Sequence, residues 1–253
     1  MRFAPGIVST KGPDGPPRFT PDGKEVYWSH IGPGGGVLHS SILDGRWSYP
    51  ERVSLGAGGL DVVPFLFDNG RRLFFLSTRP LPDGRRPRPG FFTFWIAARE
   101  GAKWGAPTAI ESFFSGWDDL SAMTEDGTLY LSAGEKSRVI SRVPAGDGGY
   151  AVATPLSPEK TGFPALVGPG EQYLVYSSAM DGGFGASDLY ITFRRGDGTW
   201  GPSINMGPQI NTKAFEHFAS LSPDGKYLFF CSERDGDLDV YWMSARILDD
   251  LRR

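Results

Sequence analysis

The sequence predicts an all-β fold, a five-bladed β-propeller with four antiparallel strands in each blade. Turn-forming residues are abundant, with 35 glycines and 21 prolines among 253 residues. The hydrophobic share of 40% and the aromatic share of 13% are too high for a disordered chain. The turns recur at roughly the period of propeller blades, and apolar strands follow them.

The repeated unit is an apolar strand, a glycine turn and a second apolar strand. Its clearest copies span 17–28 and 219–230. The turns lie near 21–23, 68–70, 125–127, 168–170 and 223–225. Pro-Asp-Gly and Asp-Asn-Gly supply the backbone angles and the Asx hydrogen bond that a tight turn requires. A third strand follows in the clearer units, as at 188–191 and 239–242.

The fourth strand is predicted from an aromatic residue followed closely by proline. The pattern occurs as Trp47 with Pro50, Trp104 with Pro107 and Trp200 with Pro202, and more weakly as Tyr150 with Pro155. Proline is tolerated at sheet edges, because an edge strand leaves one row of N–H groups unpaired. We therefore expect this strand to be the outermost one of each blade.

The last repeat lacks a fourth strand, and the N-terminus supplies a matching segment. Phe3-Ala-Pro5 resembles Trp200-Gly-Pro202 in spacing. We expect residues 1–10 to complete the last blade, so that 1–253 form a single propeller domain. A ring closed in this way leaves no open edge like that of a linear array.

These repeats resemble the WD40-like PD40 repeats of the TolB-like propeller family. The match is most specific in 182–190, 200–207, 210–212 and 223–230, and the resemblance covers nearly the whole chain. It implies a bacterial, periplasmic or secreted protein that binds a protein or peptide partner. The sequence has no signal peptide, so a cytoplasmic location remains open. It has no apolar run long enough to span a membrane, and we expect no membrane insertion.

The net charge and the cysteine and histidine content exclude several classes of binding site. The formal net charge of −3 argues against a generally basic nucleic-acid surface. Cys231 is the single cysteine, so no intrachain disulfide and no Cys-x-x-Cys metal site can form. The three histidines show no metal-ligand spacing. We expect no cofactor, no metal site and a monomeric protein.

Carboxylates recur where the chain enters the innermost strands. The positions nine residues before the turn glycines are Asp14, Asp61, Asp118, Thr161 and Glu216. Our candidate ligand-binding residues are Asp61, Trp117, Asp118, Asp119, Glu216 and His217. Such acids suit a cation, an amine or a sugar. Alternatively each acid accepts backbone N–H bonds and only stabilises its turn, and its recurrence in four of five repeats favours this structural role.

The longest loop, residues 79–90, contains four arginines and four prolines. Proline favours an extended backbone, and guanidinium groups bind acidic partners. We take Arg79, Arg85, Arg86 and Arg88 as candidate partner-binding residues. The alternative is a solvated insertion.

The sequence therefore favours a non-catalytic scaffold that binds a protein segment or a small ligand, and we assign no catalytic residue. The alternative is a carbohydrate-active, glycosidase-like enzyme that uses two of the carboxylates, since such enzymes act through paired acids. Geometry separates the two. The enzyme needs a deep axial pocket, two carboxylates within the glycosidase range and an apolar wall such as Trp117. The scaffold predicts a shallow or plugged mouth, with the acids bonded to backbone N–H groups.

Overall fold

The computed structural model describes residues 1–56, 58–87, 92–110, 122–133, 138–146 and 149–253. Five antiparallel sheets form a ring, which confirms the predicted all-β, five-bladed propeller. The strands of a blade are lettered A to D from the axis outward. Among the described residues, no helix is long and apolar enough to cross a membrane.

The strands follow one another blade by blade. Blade one contains β1 (Arg18–Phe19), β2 (Glu25–His30), β3 (Gly36–Leu43), β4 (Arg46–Trp47) and β5 (Glu51–Arg52). Blade two contains β6 (Asp61–Phe67), β7 (Arg72–Ser77), β8 (Thr93–Glu100), β9 (Lys103–Trp104) and β10 (Thr108–Ala109). Blade three contains β11 (Ala122–Met123), β12 (Leu129–Ala133), β13 (Val139–Val143), β14 (Ala145–Gly146), β15 (Gly149–Tyr150) and β16 (Thr154–Pro155). Blade four contains β17 (Phe163–Val167), β18 (Tyr173–Ser178), β19 (Asp188–Phe193) and β20 (Ile204–Asn205), with a 3-10 turn at Pro169–Glu171. Blade five contains β21 (Glu216–Leu221), β22 (Tyr227–Ser232) and β23 (Asp239–Ser244), and α1 (Arg246–Asp250) follows it.

The A–B turns have the predicted chemistry. The five turn glycines have positive φ, from 59° at Gly170 to 86° at Gly127, a region that favours glycine. In blade one the Thr20 hydroxyl donates to Asp22 at 2.7 Å, and Asp22 accepts the Lys24 N–H at 3.0 Å. Asp126 in blade three and Asp224 in blade five make the same two bonds, and these local bonds fix the register of the three hairpins.

The outer strand is split in two blades where the sequence predicts one piece. β3 pairs with both β4 and β5, and β8 pairs with both β9 and β10. The intervening prolines, Pro50 and Pro107, lack the N–H that an unbroken ladder needs. In blade three, Tyr150 belongs to the β14–β15 hairpin, and β16 with Pro155 supplies the fourth strand on β13.

The N-terminal segment closes the ring, as predicted. Arg2 forms an antiparallel bridge with Tyr241. The Phe3 N–H donates to the Val240 carbonyl at 2.7 Å, and the Trp242 N–H donates to the Met1 carbonyl at 3.1 Å. Blade five therefore receives its outer strand from the other end of the chain.

The core consists of apolar clusters between neighbouring blades. Among the described residues, the cluster between blades five and one contains Val8, Val26, Trp28, Phe229, Cys231 and Val240. The A strands of blades two, four and five carry a β-bulge. In blades two and five the bulge includes a residue with positive φ, Val63 at 55° and Phe218 at 43°. Positive φ is rare for such residues. These two bulges place both side chains at the wall of a small cavity near the axis.

Candidate functional site

The B–C and D–A connections form one face of the propeller, which we call the mouth face. It carries the described starts of the A strands and the predicted acids that lie there. Asp61 begins β6 and Glu216 begins β21. Both side chains are buried, at 4% and 0% exposure. The structure therefore places these two residues where the sequence predicts, but turns them inward.

Asp61 is saturated by donors of its own blade. The Arg79 Nη2 atom donates to both Asp61 oxygens at 2.7 Å, and the Ser77 hydroxyl donates to Oδ1 at 2.7 Å. Arg79 also donates through Nη1 to the Leu55 carbonyl at 2.8 Å. A buried carboxylate is tolerated when it is paired and hydrogen-bonded in this way.

Glu216 repeats this arrangement in blade five. Its Oε1 atom accepts from the Ser232 and Thr212 hydroxyls, each at 2.7 Å, and Oε2 accepts the Thr212 N–H at 2.9 Å. Arg234 lies 3.7 Å from Oε1 and donates to the Ile210 carbonyl. The acid thus stabilises both the D–A connection and the end of the B strand.

Asp14 is the corresponding acid of blade one, and it is fully buried. Its Oδ2 atom accepts the Thr10 N–H at 2.7 Å and the Thr10 hydroxyl at 3.0 Å. Its Oδ1 atom lies 2.8 Å from His30 Nδ1. The three described acids of this row all meet internal donors. Asp14 and Glu216 each accept a backbone N–H, as the structural alternative predicts, whereas Asp61 accepts only from side chains.

Sequence reasoning missed the partners of these acids. Ser77 and Ser232 both lie seven residues after a turn glycine, and Arg79 and Arg234 follow two residues later. This Ser-x-Arg repeat was the available signal. It also corrects the prediction for Arg79, which is only 5% exposed and bonded to Asp61 instead of facing a partner.

A second row of carboxylates, also missed, begins two of the C strands. Asp188 in β19 accepts the Phe184 N–H at 2.7 Å and the Asn205 amide at 2.7 Å. Asp239 in β23 is 1% exposed and lies 3.0 Å from Arg2. Burial raises the pKa of Asp239, and its Oδ1 atom has no hydrogen-bond partner among the described residues.

The remaining predicted site residues fall into two groups. Arg85 and Arg86 are exposed, and Arg85 pairs with Asp83. Trp117, Asp118, Asp119 and Arg88 lie outside the described residues. Arg85 and Arg86 therefore keep the surface position that partner binding requires.

The aromatic patch of the mouth face consists of Phe184, Phe215 and His217. Phe184 is 46% exposed and Phe215 is 41% exposed. The Phe215 and His217 rings stack with centroids 5.4 Å apart and planes 8° apart. Burial lowers the pKa of His217, which favours a neutral imidazole at pH 7. His217, which the sequence predicts as a ligand-binding residue, thus contributes its ring to an apolar surface.

The backbone holds this patch in place. Ser187 and Phe215 form a parallel bridge, and the Glu233 N–H donates to the Phe215 carbonyl at 3.0 Å. Gly185 packs so closely on the chain at Thr212 that a side chain there would collide with its carbonyl. The B–C loop of blade four and the following D–A connection therefore form one ordered surface.

No protein-family model and no curated protein matches this chain. Solved structures do match. TolB from Acinetobacter baumannii has 15% identity and a TM-score of 0.60, over 94% of this chain and 53% of that one. A chain of a nidogen/laminin complex has 15% identity and a TM-score of 0.53, over 91% and 75%. A gluconolactonase from Xanthomonas campestris has 15% identity and a TM-score of 0.52, over 94% and 87%.

The first of these likenesses is partial in length, since the chain spans 53% of the Acinetobacter TolB. At such identities the likeness is one of fold, because one propeller architecture carries unrelated functions. The propeller fold of these structures agrees with the blade repeats predicted from the sequence. This chain has a five-bladed β-propeller fold that is similar to the propeller of TolB.

Proposed function

We propose that this chain is a non-catalytic recognition module that binds a protein segment on its mouth face. The observation that carries the proposal is the ordered aromatic patch of Phe184, Phe215 and His217. Aromatic side chains are enriched in protein interfaces, where they contribute most of the binding free energy. A patch already fixed by backbone bonds loses little conformational entropy on binding.

Two positive side chains of the same face suit this role. Arg85 and Arg86 are exposed on the B–C loop of blade two. Positive side chains on a binding face speed the encounter with an acidic segment and orient it. The partner class supported by these features is a segment with apolar side chains and carboxylates.

The experiment is affinity capture with the full chain, quantified afterwards with the purified partner. Phe184→Ser together with Phe215→Ser should weaken binding at least tenfold, since both remove exposed apolar area from the contact. The matched control is Ile42→Ser with Leu43→Ser, two exposed apolar residues near the C–D turn on the opposite face. The control should bind within about twofold of the wild type. Equal binding by both variants, or loss only in the control, would contradict the proposal.

The glycosidase-like alternative has less support. An acid–base pair requires carboxylates with oxygens available to the substrate, and the oxygens of Asp61 and Glu216 are bonded to Arg79, Ser77, Thr212 and Ser232. Glu216→Gln should therefore lower the unfolding free energy by about 1–3 kcal/mol through lost charge-assisted bonds. It should leave hydrolysis of aryl glycosides at the wild-type background. If the wild type hydrolyses these substrates and a folded Glu216→Gln variant does not, the result would support the glycosidase-like alternative.

A further inference from the structure

A small cavity on the mouth face lies where the inner strands of blades one, two and five meet. Its volume is about 40 Å³, and it is partly open to solvent. Most of the wall is apolar, with Pro13, Pro16, Ile31, Val63, Pro64 and Phe218. A cavity of this size accommodates roughly three waters, or a carboxylate on a short apolar stem. Pockets with apolar walls and a few directed polar groups are typical of ligand sites.

Arg18 is the positive charge in this wall. Its guanidinium carbon lies 4.2 Å from the centre of the Phe65 ring. Among the described residues, no carboxylate lies within ion-pair distance of Arg18, whereas Arg79, Arg99 and Arg142 each have one. A cation taken out of water without a counter-ion is costly, so the cavity favours an anion. A guanidinium held against a ring by its face keeps its N–H edge free for a bidentate contact.

Burial supports this interpretation. It lowers the pKa of Arg18 to about 10, so the side chain still carries its charge at neutral pH, and the half-buried residue is only partly hydrated. The weaker its contact with water, the more free energy a bound anion recovers.

The cavity wall also contains a second hydrogen-bond donor, Ser29, and a carboxylate, Asp14, whose oxygens are already hydrogen-bonded. The Ser29 hydroxyl oxygen accepts the Val63 N–H at 2.6 Å, and its own proton remains available for donation. Asp14 also lines the cavity. Its two oxygens already meet Thr10 and His30. One guanidinium and one hydroxyl suit a monoanionic carboxylate better than a phosphate dianion, which needs more donors.

We propose that this cavity is a carboxylate-binding site, with Arg18 as the counter-ion and Ser29 as the second donor. The site rests on the proposed function in one respect: the carboxylate belongs either to the bound protein segment or to a free small acid. The class of ligand is the same in both cases, an apolar monocarboxylate.

The first test is an NMR titration of the whole chain with sodium propionate and, separately, with propionamide. Saturable shifts of the Val63 and Phe218 amides are expected with propionate. Propionamide, which has the same shape without the charge, should bind at least tenfold more weakly. Equal affinity for the two compounds, or no saturable shift with propionate, would overturn the proposal. This comparison needs no variant and is unaffected if a substitution at Arg18 fails to fold.

The second test uses Arg18→Met, which keeps the length and the contact with Phe65 but removes the charge. Its affinity for propionate should fall at least tenfold. The matched control is Arg71→Met, because Arg71 is 72% exposed at the A–B turn of blade two. The control should retain wild-type affinity. Unchanged affinity in a folded Arg18→Met variant would overturn the proposal.

The captured segment distinguishes the two sources of the carboxylate. If Arg18→Met weakens binding of the segment at least tenfold, and amidating the segment's carboxylates does the same, the partner supplies the anion. If the segment binds Arg18→Met normally while propionate does not, the site takes a free acid. Loss of segment binding in the Phe184 and Phe215 variant alone supports the recognition module independently of this cavity.

Discussion

Two buried carboxylates in this propeller stabilise the fold through hydrogen bonds to neighbouring side chains. Asp61 and Glu216 stand at the starts of two A strands, and each accepts a hydrogen bond from the last serine of the adjacent B strand. The arginine two residues after that serine donates to Asp61 in blade two and lies 3.7 Å from Glu216 in blade five. Each bond joins the mouth face to the inner strands. The acids therefore define the shape of this face without offering free oxygens to a ligand.

Glu25 provides a pH-dependent test at the same scale. Arg99 donates to its two oxygens at 2.6 and 2.7 Å, and the Tyr27 hydroxyl donates at 2.8 Å. The hydrogen bond from Arg99 lowers the pKa of Glu25 below its ordinary value. A lowered carboxyl pKa contributes stability that is present above the unfolded-state pKa and lost as pH falls through the folded-state pKa.

Glu25→Gln should lower the unfolding free energy by about 1–2 kcal/mol at pH 7, since it weakens partly buried charge-assisted bonds. The difference from the wild type should shrink at pH 3, where the wild-type carboxyl is increasingly protonated. Urea unfolding at the two pH values measures it. Asp83→Asn, at an exposed pair with Arg85, should leave the unfolding free energy unchanged at both pH values. An equal loss at pH 7 and pH 3 for Glu25→Gln would show that the charge is not responsible.

The predictability of single residues has a physical limit. The position of Asp61 follows from its distance to the turn glycine, because hairpin register is local. The burial of Arg79 does not follow from its arginine-rich neighbours, because its partner lies on another strand, 18 residues away in sequence. Only the repetition of Ser-x-Arg at 77–79 and 232–234 points to a shared structural role.

The strands themselves were largely predictable. Apolar runs such as 73–76 form the buried B strands, and the glycine turns define their ends. The outer strands were less so. Their split at Pro50 and Pro107 depends on pairing with a neighbour that the local pattern does not contain. The aromatic patch was also missed in part, because Phe184 and Phe215 come from different connections.

Deleting the N-terminal segment tests whether this segment closes the ring. Its removal, residues 1–9, should lower the unfolding free energy by at least about 3 kcal/mol, because it breaks backbone bonds to β23 and exposes buried apolar surface at Val8. Urea unfolding measures the loss. Removing 252–253 is the control and should cost no more than about 0.5 kcal/mol. Equal stability of the shortened and full chains would mean that the segment does not close the blade.

The whole molecule presents two different faces. The A–B turns are bonded internally through Asp22 and Asp224. The mouth face instead carries the aromatic patch and the cavity at Arg18. Asp14, Asp61 and Glu216 on this face are bonded internally, so the face offers apolar contact and the positive charges of Arg18, Arg85 and Arg86. These are the properties that the proposed recognition of a protein segment requires.

Hydrogen exchange of the full chain, with and without the captured segment, tests this account most directly. Amides in a contact exchange more slowly because binding reduces local opening. The account predicts added protection at 179–187 and 211–217 on the mouth face, and unchanged exchange at the A–B turns 21–24 and 222–226. Protection confined to the A–B turns, or to the outer edge of blade one at 42–49, would contradict recognition through the mouth face.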